Sequence, residues 1–175
     1  MLINLSEIMS VKGKIKHIEV PFERENFRLD GIDYNFVVKN PMELTITNLG
    51  DRKVMLEGNT KLSLLIPCSR CLEGVETFFD IHISKDLDFN ETDEDRIKEL
   101  DETNYIDGYN LDVDQLVYDE ILIDFPLKVL CSDTCKGICN VCGANLNKET
   151  CNCDQAVGDP RMSVIRDIFN NFKEV

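Results

Sequence analysis

The sequence predicts an α+β protein, in which an antiparallel β-sheet or small barrel carries a few helices and ends in a cysteine-rich, zinc-ribbon-like module. Three observations predict this class. Apolar and polar residues alternate through much of the first ninety residues, helix-spaced apolar residues follow, and six of the eight cysteines fall within 131–153. We expect a β-rich domain over residues 1–125, with an acidic loop at about 86–110. A cysteine-rich zinc module with the C-terminal helix packed on it should occupy 126–175.

The strands are predicted from alternation, the period of a half-buried strand. In VETFFDIHIS the polar side is interrupted only by Phe78. Pro21 favours an edge position for the strand that holds Ile18 and Val20, because proline cannot donate to a neighbouring strand. The sequence NLGDRK separates two alternating runs and predicts a turn. The residues that we expect on the inner faces are Met42, Leu44, Ile46, Leu62, Leu64, Ile66, Val75, Thr77, Phe79, Ile81 and Ile83.

Two segments predict helices. Asp112 can cap a helix start, Asp114 suits the positive end of the helix dipole, and Pro126 ends the helix. Asp159 and Pro160 begin a second helix, as an N-cap followed by proline at the first helical position. Between the strands and the first helix, FNETDEDRIKELDETNYIDGYN has few apolar anchors, so we expect a mobile loop with at most one weak helical turn. The apolar stripe of the last helix is Met162, Ile165, Ile168, Phe169 and Phe172.

The charge is strongly negative, with a formal net value of −14. Most of it is local, because the segment 86–124 holds fifteen acids and two bases. Such a surface repels bare phosphate backbones and suits a basic protein partner, for example a ribosomal protein, although a merely solvated acidic face gives the same composition. No segment approaches the ~20 apolar residues of a membrane span, and the start of the chain lacks the apolar core of a secretory signal. We therefore expect a cytoplasmic protein with no membrane partner.

The cysteines predict metal binding, because thiols stay reduced in the cytoplasm and clustered cysteines there are metal ligands more often than disulfides. They form four pairs whose members are separated by two, three, two and one residues. A tight turn directs both sulfurs of a pair toward one ion, and Gly137 and Gly143 tolerate the positive φ that such turns need. We expect Zn²⁺ in one or two structural sites. The predicted ligands are Cys68, Cys71, Cys131, Cys135, Cys139, Cys142, Cys151 and Cys153.

The favoured grouping has one local site and one long-range site, although spacing alone does not determine the pairing. The long-range site would close a loop of about 60 residues, where a cross-link has the largest entropic effect. The local site would use Cys139, Cys142, Cys151 and Cys153, and the long-range site Cys68, Cys71, Cys131 and Cys135.

Other chemistries of the cysteines fit less well. An iron–sulfur cluster also takes four thiolates, but the spacings match neither of the common ferredoxin patterns. A redox role for CSRC would need the start of a helix, whereas here the pair follows a strand and Pro67. A closed all-cysteine site is architectural rather than catalytic. His17 and His82 lie on strand-like segments without a motif, so we expect both at the surface.

The order of motifs resembles the YceD family, the large ribosomal RNA subunit accumulation proteins, also known as domain of unknown function 177. The similar segments are PCSRCLE, an acidic stretch, PLKVLC, CKGICNVCGANLN, and DPR followed by an apolar helix. The resemblance spans nearly the whole chain. It implies a role in accumulation of large-subunit (23S) ribosomal RNA, hence in ribosome biogenesis, and supplies no catalytic residues. Some members of this family lack most of the C-terminal cysteines, which implies that metal stabilises a shape whose surface does the work.

Three functions stay open at the level of sequence. The first is a non-enzymatic assembly factor that contacts a ribosomal protein or a pre-large-subunit particle. The second is direct rRNA binding through the zinc ribbon, and the third is an RNA-processing hydrolase. The hydrolase is disfavoured, because the chain shows no paired carboxylates with a histidine, no phosphate-binding glycine loop and no nucleophile motif. The basic residues available for direct RNA binding are Lys128, Lys136, Lys148, Arg161 and Arg166.

Overall fold

The computed structural model describes residues 1–90, 104–153 and 168. The predicted α+β class is confirmed, because the described chain consists of antiparallel strands and two helices. None of the described helices is long and apolar enough to cross a membrane.

The chain divides into two compact units. The first combines Met1–Ile66 with Val75–Leu127, and the second combines Pro67–Gly74 with Lys128–Val175. All eight cysteines therefore belong to the second unit, including the pair in PCSRCLE that precedes most of the chain's acidic residues.

The regular elements fall mainly in the first unit. The helices are α1 (Ser6–Met9) and α2 (Val113–Asp124). The strands are β1 (Leu2–Asn4), β2 (Ile15–Val20), β3 (Asn26–Leu29), β4 (Ile32–Lys39), β5 (Met42–Gly50), β6 (Lys53–Pro67), β7 (Gly74–Asp88), β8 (Ile106–Asp107) and β9 (Asn110–Asp112).

The main sheet is built from long antiparallel runs. Its order is β2-β5-β6-β4-β3, and β7 also pairs with β6. Strands β4 and β5 follow one another along β6, while β3 pairs with β4 and β2 with β5. Strand β2 ends at Val20, directly before Pro21, and lies at the edge of the sheet order, as the proline predicts.

The predicted alternation is confirmed where it is cleanest. Phe79, Ile81 and Ile83 of β7 are buried, while Phe78 is 74% exposed on the polar side. The inner faces of β5 and β6 are buried in the same way. Each large apolar side chain that is buried contributes about 1.5–3 kcal/mol, so this face holds the first unit together. His17 and His82 are exposed, as expected.

Helix α2 begins and ends where its sequence predicts. The Asp112 side chain accepts hydrogen bonds from the backbone N–H groups of Asp114 and Gln115, which have no partner within the helix. The helix is followed by Phe125, whose ring stacks on the buried Phe27 with centroids 5.5 Å apart. Pro126 then prevents continuation.

The sequence predicts a loop over about 86–110, and the structure differs at both ends. Strand β7 continues to Asp88, and β8 and β9 form a three-stranded sheet with β1. Tyr105 and Leu111 are buried, so this acidic stretch contains more apolar anchors than its charge indicates. The helix α1 also interrupts the strand-rich start. The rest of the acidic loop, 91–103, and the predicted C-terminal helix, apart from Ile168, lie outside the described residues.

Candidate metal centre

The eight cysteine sulfurs come together in two sets of four. Within each set all sulfur atoms lie within 4.8 Å of one another. The membership agrees with the grouping that the sequence favoured. The first set is Cys68, Cys71, Cys131 and Cys135, and the second set is Cys139, Cys142, Cys151 and Cys153.

The spacing of the sulfurs fits a tetrahedral ion. With ~2.3 Å bonds to zinc, the sulfurs of a tetrahedral site lie about 3.8 Å apart. In the first set, Cys68 Sγ lies 3.8 Å from Cys135 Sγ, and Cys71 Sγ lies 3.5 Å from Cys131 Sγ. The donor set therefore matches a structural zinc ion in size and chemistry, although zinc ligation by these cysteines stays a prediction. Among the described residues, no other group of three or more His, Cys, Asp or Glu converges in this way.

Each set contains one turn of the same construction. In the first, the N–H of Cys68 donates to the carbonyl of Glu73 at 2.8 Å, and the N–H of Leu72 donates to the carbonyl of Cys68 at 3.0 Å. We call residues 68–73 the first knuckle. Two cysteines separated by two residues thus lie on a closed turn that directs both sulfurs to one side.

The second knuckle, residues 139–144, repeats this pattern. The N–H of Cys139 donates to the carbonyl of Ala144 at 2.8 Å, and the N–H of Gly143 donates to the carbonyl of Cys139 at 2.9 Å. The two knuckles differ in the residue that follows the second cysteine. Gly143 has φ +76°, as the sequence predicts, whereas Leu72 adopts φ +63° despite its side chain. The first knuckle therefore carries backbone strain that the second avoids.

Hydrogen bonds to sulfur favour the thiolate form in both knuckles. Burial alone would raise the pKa of the Cys68 thiol, but backbone N–H groups of Cys71 and Arg70 donate to its sulfur and lower the pKa to about 6. Backbone N–H groups of Cys142 and Val141 lower the pKa of Cys139 to about 6 in the same way. Such N–H groups partly neutralise a metal-bound thiolate.

Hydrogen bonds between sulfurs keep one thiol of each set protonated. The hydrogen bond shared with Cys135 raises the pKa of Cys131 to about 12, and the one shared with Cys142 raises the pKa of Cys153 to about 12. Four thiols in one cage cannot all ionise unless a cation balances their charge. A divalent ion bound among the four sulfurs would supply that charge.

Polar side chains outside the two sets support the first set. The sequence analysis assigned none of them a role at the metal centre and considered Lys148 only as a basic residue for RNA binding. Arg70 donates to the carbonyl of Cys135 at 2.8 Å. Asn147 donates through Nδ2 to Cys135 Sγ at 3.2 Å. Glu73 accepts from Lys148 Nζ at 2.6 Å, and this contact lowers the pKa of the Glu73 carboxyl. Asn147 lies in GANLN, which begins at the end of the second knuckle, but nothing in the local sequence identifies Cys135 as its partner.

Comparisons with known proteins point to one family. The family model described as "Large ribosomal RNA subunit accumulation protein YceD" matches residues 56–169, a range that includes all eight cysteines. An uncharacterized protein of Mycobacterium tuberculosis is 24% identical over 96 residues, covering 55% of this chain and 46% of that protein. An uncharacterized protein of Mycobacterium bovis matches with the same values.

A plant relative carries a descriptive name. The Arabidopsis thaliana protein named "Large ribosomal RNA subunit accumulation protein YCED homolog 1, chloroplastic" is 25% identical over 134 residues, covering 62% of this chain and 42% of that protein. The chain thus spans less than half the length of these curated relatives. No solved structure matches the chain. Because the family model covers well over half of the sequence, including both cysteine sets, the chain belongs to the YceD family of large ribosomal RNA subunit accumulation proteins.

Proposed function

We propose that the protein is a non-enzymatic factor of ribosome biogenesis that supports accumulation of large-subunit (23S) ribosomal RNA. The family description supports the process. The observation that carries the non-enzymatic part is the composition of the two sets, four sulfurs each. A metal held by four thiolates has no open position for water or substrate, so such a site stabilises a shape.

Zinc is the ion that we propose for both sets. Four soft ligands in tetrahedral spacing suit zinc, and the iron–sulfur alternative is disfavoured by the cysteine spacing. Zinc would join the first knuckle to Cys131 and Cys135, which lie some 60 positions further along the chain. The metal therefore performs the task that a disulfide performs in a secreted protein, in a compartment where thiols stay reduced. The cytoplasm is that compartment in our proposal.

The partner that we propose is a basic protein, either a ribosomal protein or a component of the pre-large-subunit particle. A net charge of −14 attracts basic surfaces and repels naked RNA phosphates. Direct binding of rRNA is the alternative. It is less favoured, because Lys148 of the cysteine-rich unit is already engaged by Glu73.

The test is depletion of the protein followed by complementation. Cells that lose the protein should accumulate less large-subunit rRNA relative to small-subunit rRNA. The wild-type gene should restore the ratio, and a variant without the first set, Cys68→Ala with Cys71→Ala, should not. A tagged wild-type chain should co-sediment with pre-large-subunit particles and release from them as salt is raised. Unchanged rRNA ratios together with no co-sedimentation would refute the proposal.

A gel shift separates the two modes of binding. The purified chain should not shift large-subunit rRNA fragments at physiological salt, and purified ribosomal proteins should be retained by it. A tight, salt-sensitive shift by the chain alone would establish the RNA-binding alternative instead.

A further inference from the structure

Both cysteine sets use one continuous segment of the second unit. Cys135 belongs to the first set and Cys139 to the second, and only three residues separate them. Gly137 lies between them with φ +81°, and a Cβ at this position would come within 3.1 Å of the Arg70 carbonyl. The segment therefore passes close to the first knuckle, and the positive φ together with this tight contact favours glycine at position 137.

A side chain also connects the two sets. Residues 143–150 join the two cysteine pairs of the second set, and we call them the bridging loop. From this loop, Asn147 donates through Nδ2 to Cys135 Sγ at 3.2 Å and accepts through Oδ1 from the N–H of Lys136 at 2.8 Å. Its amide thus contacts one sulfur of the first set and the peptide that follows that sulfur.

The bridging loop is held in place by its own contacts. Asn145 Oδ1 accepts from both the backbone N–H and the Nδ2 of Asn147, at 3.0 and 3.1 Å, which orients the Asn147 amide. The N–H of Leu146 donates to the carbonyl of Gly137 at 2.9 Å. Asn145 Nδ2 also donates to Glu73 Oε1 at 3.2 Å. The loop therefore contacts the first knuckle although both of its ends belong to the second set.

We propose that the two metal sites are coupled, with Asn147 as the positioning residue that links them: metal in the second set fixes both ends of the bridging loop and so places the Asn147 N–H on the Cys135 sulfur of the first set. The inference rests on the metal binding in the proposed function. When Cys142 and Cys151 share one ion, the ordering of the loop is already complete before the first set binds. The N–H···S bond then stabilises a thiolate ligand of the first set.

The size of the effect follows from comparable systems. Loss of an outer hydrogen bond to a metal ligand typically lowers metal affinity 10- to 100-fold. We expect a loss of about tenfold at the first set when Asn147 is removed, because one N–H···S bond is lost and the ligand itself remains. By linkage, the factor by which metal in the second set strengthens binding at the first set is also the factor by which metal in the first set strengthens binding at the second set.

The experiment is a double-mutant cycle on the full chain, titrated with Zn²⁺ against a competing chelator under reducing conditions. One change is Asn147→Ala, and the other disables the second set through Cys151→Ala with Cys153→Ala. We expect Asn147→Ala to lower first-set affinity about tenfold in the intact chain, but less than threefold once the second set is disabled. The exposed Asn35 of β4, which belongs to the first unit and to neither knuckle, supplies the control Asn35→Ala, which should leave first-set affinity within threefold.

A second variant tests the contact in a chain with all eight cysteines, in case the chain with Cys151→Ala and Cys153→Ala misfolds. Lys148→Met removes the ion pair with Glu73 without touching any cysteine, and it should lower first-set affinity in the same direction as Asn147→Ala. Far-UV circular dichroism establishes that each variant keeps its strands. Equal losses from Asn147→Ala in both backgrounds, or no loss in the intact chain, would overturn the coupling while leaving two metal sites. A chain that binds no zinc at all would overturn the coupling together with the proposed structural metal.

Discussion

The two cysteine sets should contribute unequally to stability, because they close loops of different length. Cys71 and Cys131 of the first set are separated by 60 positions, whereas Cys142 and Cys151 of the second set are separated by nine. Cys131 and Cys142 are both exposed, so their replacement removes a ligand without opening a cavity. Cys131→Ala and Cys142→Ala therefore form a matched pair that differs mainly in the loop that each site closes.

The magnitude comes from loop-closure entropy. Closing a loop of 60 residues stabilises a chain by about 4.3 kcal/mol and closing one of nine residues by about 2.6 kcal/mol in the chain-entropy model. The difference, (3/2)RT ln(60/9), is about 1.7 kcal/mol. If each replacement abolishes metal binding at its own site, Cys131→Ala should destabilise the chain by about 1.7 kcal/mol more than Cys142→Ala.

The assay is urea denaturation followed by far-UV circular dichroism, with the zinc content of each variant measured beforehand. Each variant should contain one ion fewer than the wild type, and the midpoint of Cys131→Ala should be the lower of the two. Unfolding midpoints that coincide in two variants that have each lost one ion would refute the reasoning. So would a wild type whose midpoint does not change on chelation.

Three further results follow from local structure. Asp112→Ala should destabilise the first unit by about 1 kcal/mol, because it removes the N-cap of α2, and thermal melting of the variant against wild type measures this. Leu72→Gly should leave stability unchanged or raise it by up to about 1 kcal/mol, because relief of the positive φ offsets the larger conformational entropy that glycine loses on folding. Gly143→Leu should lower stability by about 1–2 kcal/mol, because leucine would have to adopt a positive φ. Equal losses of stability in the two knuckles would contradict the proposed strain at Leu72. Asp119→Asn should stabilise the protein slightly at pH 7, by less than about 0.5 kcal/mol, because burial raises the pKa of the Asp119 carboxyl and its ionised form opposes folding. Because folding favours the protonated form of Asp119, the stability gained by Asp119→Asn should vanish at about pH 3, where the carboxyl is protonated in both the folded and the unfolded state. Urea denaturation of the variant and the wild type at pH 7 and at about pH 3 tests this direction.

Strands with one solvated face were predictable, because apolar and polar residues alternate with a period of two along them. β7 shows this best, with Phe79 and Ile81 inside and Phe78 outside. The limits of α2 were predictable because a cap and a proline are local signals. The small sheet of β1, β8 and β9 was missed, because its strands span only two or three residues and the buried Tyr105 and Leu111 lie in a highly charged segment.

At the metal centre, the membership of the two sets was predictable, and their surroundings were not. The eight cysteines form four close pairs in the sequence, and four pairs can be divided between two metal sites in only a few ways. Asparagines carry no such signal, and the contact of Asn147 with Cys135 exists only once the chain has turned back on itself. The strain at Leu72 was also not predictable, because leucine rarely adopts a positive φ and its presence does not indicate one.

The most direct test is the metal content of the reduced, natively folded chain, measured by native mass spectrometry together with elemental analysis. We expect two zinc ions per chain, release of both by a strong chelator, and eight alkylatable thiols only after that release. A folded chain that carries no metal, and whose eight thiols react at once, would contradict the claim that bound ions hold the cysteine-rich unit together.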